Sequence, residues 1–144
     1  MLLGGAMKIK KINYKNLNGK QKEIYNFQIV AAELAEYGFN CIKLADDWNG
    51  ADFLAYHYEG HETLKVQLKS RLTVAGKYKG NKIYMAFPVK STGHWYLIEH
   101  DRLIEILEEN VGVAGDEIAW DRKGIYHTSS LNAAVRECLE HYKL

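Results

Sequence analysis

GADFLAYHYEGHETLKVQLKSR, residues 50–71, holds two extended runs, Asp52 to Tyr58 and Thr63 to Lys69, with the turn residues Glu59, Gly60, His61 and Glu62 between them. Both runs are rich in apolar, aromatic and β-branched side chains, so the stretch predicts a β-hairpin. In its simplest register Tyr58 lies opposite Thr63, and Asp52 opposite Lys69. Strand side chains alternate between faces, so Asp52 and Leu54 share a face with Gln67 and Lys69, while Phe53, Ala55, Leu64, Val66 and Leu68 point the other way. One face is apolar; the other gathers an acid, an amide and an ammonium within cross-strand reach. A slip of one residue would scatter that group.

Outward from the hairpin, Asn16 to Gly19 is a turn-like lead-in to an amphipathic helix over Lys20 to Tyr37, ended by Gly38. Ile24, Phe27, Val30, Ala31 and Leu34 recur at helical spacing and are expected to face a sheet. Glu23 shares the stripe of Phe27, Val30 and Leu34, so its carboxylate sits either at the rim or inside with a partner. Phe39 to Leu44 is a short strand leading into a loop, residues 45–50, that carries Asp46, Asp47 and Trp48. Adjacent acids before a turn usually meet water or local backbone. Beyond the hairpin, Leu72 to Gly80 is a connection too short for a long crossover helix. Lys82 to Val89 reads as an interior strand closed by Pro88, and Trp95 to Glu99 as another. Asp101 to Glu109 is a helix burying Leu103, Ile104 and Leu107. Val111 to Thr128 has no clear period. Ser129 or Ser130 can cap a last helix carrying Leu131, Ala134, Val135, Cys138, Leu139 and Tyr142. The expected architecture is α/β (α+β): a mixed sheet flanked by helices, in the order α, β, β, β, β, β, α, α.

The 144 residues, 47% hydrophobic and 26% charged, suit one globular domain spanning 1–144. Residues 1–15 read as a flexible lead-in, with Met7 as an alternative start. No run has membrane-spanning length. Cys41, in a strand, and Cys138, on an apolar helix face, read as buried free thiols of a reducing cytoplasm rather than a disulfide or metal pair. The net charge of +1 conceals segregation. Residues 1–22 carry six lysines and no acid, and residues 65–82 carry Lys65, Lys69, Arg71, Lys77, Lys79 and Lys82, again with no acid. Should both segments reach one face, that face can bind phosphates; otherwise they are two solvated surfaces.

An acid opening one strand, followed on the paired strand by an acid or amide, any residue and lysine, resembles the PD-(D/E)XK nuclease superfamily. The matching residues are GAD at 50–52 and QLK at 67–69, and the similarity spans residues 20–100. Ala51 stands where the name-giving proline would be, and Gln67 replaces the second acid, as in some restriction and bacterial homing endonucleases of that superfamily. The resemblance implies a restriction-endonuclease-like fold and Mg²⁺-dependent hydrolysis of DNA phosphodiester bonds, with Mn²⁺ as an alternative ion. It implies Asp52, Gln67 and Lys69 as catalytic residues. The implied metal ligands are Asp52, the Gln67 side-chain oxygen, the Leu68 backbone carbonyl and an acid of the first helix, Glu23. Lys20, Lys22, Ser70, Arg71, Lys77 and Lys79 are the candidate contacts to DNA.

The competing reading is a nucleic-acid-binding or protein-interaction module on the same scaffold with cleavage lost. The six histidines form no close metal motif, and no phosphate loop, dinucleotide fingerprint or nucleophile motif is present, so no organic cofactor is expected. DNA is the expected partner, with no membrane; a homodimer would allow both strands to be cut, although no dimer signature is visible.

Overall fold

The computed structural model describes residues 7–111 and 124–144. Helix α1 (Gly19–Ala35) begins at Asn18, whose side chain accepts from Gln21 N while Gln21 returns a bond to Asn18 N, a reciprocal cap. Five strands follow around it: β1 (Phe39–Trp48), β2 (Ala51–His57), β3 (Thr63–Leu68), β5 (Ile83–Val89) and β6 (His94–Glu99). They form one sheet in the order β1-β2-β3-β5-β6, with β3 and β5 parallel and the other neighbours antiparallel. Parallel neighbours need a crossover. Residues 69–82 supply it, through β4 (Leu72–Ala75) and a 3-10 turn (Gly76–Tyr78). The remaining helices and strand among the described residues are α2 (His100–Val111), β7 (Ile125–Thr128), which pairs antiparallel with β4, and α3 (Ala133–Leu139), with further 3-10 turns at Tyr14–Asn16 and Glu140–Tyr142.

The period of two along β5 divides the interior. Ile83, Met85, Phe87 and Val89 enter a core with Leu103, Ile106 and Leu107 of α2 and Val135 and Leu139 of α3. Ala86 faces the opposite core, with Phe53, Ala55, Leu64 and Val66 under Val30 and Leu34 of α1. The sheet thus carries α1 on one face and α2 with α3 on the other, a mixed α+β fold as the sequence leads one to expect.

Several expectations are corrected. The hairpin register is shifted by two: Phe53 pairs with Val66 and Tyr56 with Thr63, so one step further Asp52 stands beside Gln67, not Lys69. The cause is at the turn, where Tyr58 N donates to Gly38 O at 2.9 Å and His57 N to Glu62 O at 2.8 Å, moving the loop one residue earlier. A shift of two leaves every side chain on its expected face. Strand β1 runs through Trp48, so Asp46 and Asp47 lie on a strand, within the irregularity between Lys43 and Trp48, rather than in a loop. Ile24 is exposed at 42%, and Asn26 takes the buried position in that turn, receiving the Tyr14 hydroxyl at 3.1 Å. The last helix is capped by Asn132, which accepts from Val135 N at 2.8 Å, rather than by Ser129 or Ser130. Residues 1–6, and most of the stretch 111–128 that lacks periodicity, lie outside the described residues; its last four form β7. Among the described residues no helix is long and apolar enough to cross a membrane.

Candidate active site

The turn joining β1 to β2 sets the start of β2. Asp47 Oδ1 accepts from Gly50 N at 2.7 Å, which uses one acid of the pair on local backbone. Asn49 and Gly50 have φ of 53° and 93°, and a Cβ on Gly50 would come within 2.9 Å of the Tyr78 ring. Glycine is therefore required twice over, by backbone conformation and by space. Two residues later Asp52 enters the sheet half-buried.

Asp52 Oδ2 accepts from Leu68 N at 2.7 Å, across the gap where β2 and β3 stop pairing. The carboxylate is thereby clamped to the backbone between Gln67 and Lys69. Burial pushes its carboxyl above the usual range; the Leu68 N–H and the Lys69 ammonium pull it down, and Asp47 and Glu23 push it up further. Lys69, Asp47 and Glu23 are thus all within electrostatic reach of one carboxylate. Lys69 itself is tied to β5 by its backbone N–H, which donates to Ala86 O at 2.9 Å.

Gln67 is buried, 6% exposed, and shares the face of Met85. Its Oε1 has no hydrogen-bond partner in the described structure. A buried acceptor left unpaired is costly, and this is the one such side-chain atom among the described residues.

A cleft of about 190 Å³ opens over Asp52, walled by Glu23, Asp46, Asp47 and Asp52 with Lys20, Lys43 and Leu68. Four carboxylates thus meet two lysines there. A second cleft, sharing Glu23 and Leu68 with the first, is lined by Lys22, Lys69 and Ser70. A third shares Lys22, Asn26, Tyr14 and Ser70 with the second and adds Arg71, Lys90, Pro88, Trp95 and Ser129. The N-terminal half of α1 forms one bank of this chain of clefts. Lys22 of the first basic segment and Lys69 and Arg71 of the second therefore meet along one groove. Lys77 and Lys79 lie elsewhere, at the 3-10 turn, with Lys77 Nζ 5.0 Å from the Tyr78 ring centre. Glu23 is at the rim, exposed, with Lys20 Nζ 4.0 Å away.

Among the described residues, no three His, Cys, Asp or Glu side chains form a group able to hold a metal. Asp52 lines the first cleft, Lys69 the second and Gln67 none of the three, so the oxygens that β3 offers beside the clamped Asp52 carboxylate are the buried Gln67 amide oxygen and the Leu68 backbone carbonyl. Those hard oxygens suit Mg²⁺, which commonly takes only one or two carboxylates and keeps several waters. Sequence reasoning missed Lys43, Lys90, Trp95 and Tyr14. Lys90 follows β5 as Ser70 and Arg71 follow β3, so the parallel pairing of those strands was the signal that would have found it.

This architecture defines an α+β protein with an acid-lined cleft at the diverging ends of two sheet strands. No family model matches the chain, and no curated protein matches it. Among solved structures, a bacterial homing endonuclease is similar over 80% of this chain and 78% of its own, at 18% sequence identity and a TM-score of 0.49.

Proposed function

We infer that the protein is a Mg²⁺-dependent endonuclease that hydrolyses DNA phosphodiester bonds at the fork of β2 and β3. The observation that supports this reading is the Asp52 carboxylate at the acid-lined cleft, bonded to Leu68 N, the residue between Gln67, whose amide oxygen is unpaired, and Lys69, whose charge pulls the Asp52 carboxyl down. Asp52, the Gln67 side-chain oxygen and the Leu68 carbonyl would hold the ion, and Glu23 and Asp47 add the negative charge that glutamine lacks. The ion, when bound, offsets charge on the attacked phosphate and lowers the pKa of a bound water. Lys69 orients the attacking water and offsets charge that develops on the phosphate. The Leu68 N–H fixes one oxygen of Asp52 and leaves the other for the site. Ser70, Arg71 and Lys22 hold the strand beyond the cut, with Arg71 suited to paired contacts with one phosphate.

The experiment is incubation of the protein with supercoiled, linear, branched and single-stranded DNA in magnesium, manganese or chelator, beside Asp52→Ala and Lys69→Ala. Metal-dependent cleavage lost in both variants is the expected result; cleavage unaffected by either variant would overturn it. Glutamine at position 67, together with the fact that among the described residues the acids around the cleft form no three-ligand group able to hold a metal, favours a second reading, a nucleic-acid-binding module without cleavage. Its signature is salt-sensitive binding with no product in any metal.

A further inference from the structure

The cleft at the far end of the groove differs in kind from the acidic one. Its volume is about 560 Å³, within the usual range of small-molecule sites. Two aromatic rings, Tyr14 and Trp95, and Pro88 supply its apolar lining, and Lys22, Arg71 and Lys90 line it with them. No acid lines it, and among the described residues none of these three cations is paired with a carboxylate. Lys22 Nζ lies 5.5 Å from the centre of the Tyr14 ring, and the Arg71 guanidinium lies 3.4 Å from His127 Nε2. A track for phosphates alone needs cations and no apolar lining. Aromatic rings and unpaired cations lining one cleft match a ligand with both a flat apolar part and an anionic part, which describes a nucleotide.

We propose that this cleft is a nucleotide pocket that takes an unpaired base from the strand whose phosphate lies at Lys69. The proposal rests on the endonuclease reading and adds to it the substrate class: DNA with a single-stranded segment beside the cut. The connection is covalent on the protein side, since Lys69, Ser70 and Arg71 are consecutive and pass from one cleft to the next. A base held between Tyr14 and Trp95 leaves its flanking phosphates to Arg71, Lys22 and Lys90. In a fully paired duplex that base stays stacked, and the pocket stays unfilled.

The test compares two DNAs in chelator: a duplex with a single-stranded flank carrying 2-aminopurine, and the same duplex cut back to blunt ends. The expected result is quenching of the 2-aminopurine on binding and affinity for the flanked DNA about ten-fold above that for the blunt one, the worth of stacking one base. Trp95→Leu and Lys90→Ala each remove most of that preference; Lys90 is an exposed turn residue, so its variant keeps the test valid if Trp95→Leu fails to fold. Equal affinity for both DNAs, or a preference unchanged in Lys90→Ala, overturns the pocket. Repeating the comparison with magnesium separates the two claims. Cleavage of both DNAs at equal rates without quenching removes the pocket and leaves the endonuclease, whereas quenching without cleavage removes the endonuclease and leaves the pocket.

Discussion

Replacing Gln67 by methionine is expected to make the protein more stable and less active at once. The Gln67 oxygen is buried without a hydrogen-bond partner, and leaving such an acceptor unpaired costs about 1–3 kcal/mol. Methionine has a similar shape and carries no such acceptor, so Gln67→Met should recover much of that penalty beside Met85. For a chain of this length about 1–3 kcal/mol corresponds to roughly 3–10 °C in Tm. Urea unfolding is the assay: the midpoint should rise with the slope unchanged, because the buried surface is conserved. Magnesium should raise the Tm of the wild type by mass action and raise that of the variant much less. A variant that is less stable than wild type in chelator, or that gains as much from magnesium, would refute the reasoning.

Other outcomes follow from the same geometry. Burial and like charges raise the Asp52 carboxyl, so its ionised form costs folding stability as pH rises from about 3.8 through the raised value. Asp52→Asn, which keeps an acceptor for Leu68 N, should therefore be more stable than wild type near neutral pH and show no such advantage near pH 3, while cleavage is lost. His100 is buried, its Nε2 accepting from Ala75 N at 3.1 Å and its Nδ1 facing Asp101 at 3.0 Å; burial lowers its pKa below 6.5. Its contribution is complete above pH 6.5 and declines as pH falls below that value, a slope in stability that His100→Gln should remove. Gly50→Ala combines a φ of 93° with a Cβ 2.9 Å from the Tyr78 ring, so it should destabilise by about 1–3 kcal/mol and weaken metal binding by displacing Asp52. Thermal unfolding with and without magnesium checks both effects.

Where local chemistry dominates, the sequence was readable. The alternation through Phe53, Ala55, Leu64 and Val66 identified the apolar face, and because a two-residue shift preserves faces Asp52 still meets the Gln67 to Lys69 stretch, through Leu68 N, while Asp52 and Lys69 line different clefts and Gln67 neither. The shift itself came from a contact outside the hairpin, Tyr58 N to Gly38 O, which no local pattern reports. Helix α1 was read at nearly its full length, but its buried stripe was rotated by Tyr14, whose hydroxyl draws Asn26 inward from a turn twelve residues earlier. Strands β4 and β7 were missed because each is four residues long and its partner is remote in sequence. Asp46 and Asp47 were set aside as turn acids. Asp47 does bond to Gly50 N, yet both line the cleft, since β1 stays extended through the irregular segment that holds them.

The proposed function turns on where an ion would bind. Replacing Mg²⁺ by Fe²⁺ with ascorbate and peroxide generates hydroxyl radicals at the bound ion and cuts the polypeptide beside it. The account predicts breaks confined to the neighbourhoods of Glu23, Asp47 to Asp52 and Gln67 to Lys69, suppressed by excess Mg²⁺ and absent in Asp52→Ala. Breaks centred elsewhere in the chain, or an unchanged pattern in Asp52→Ala, would contradict it.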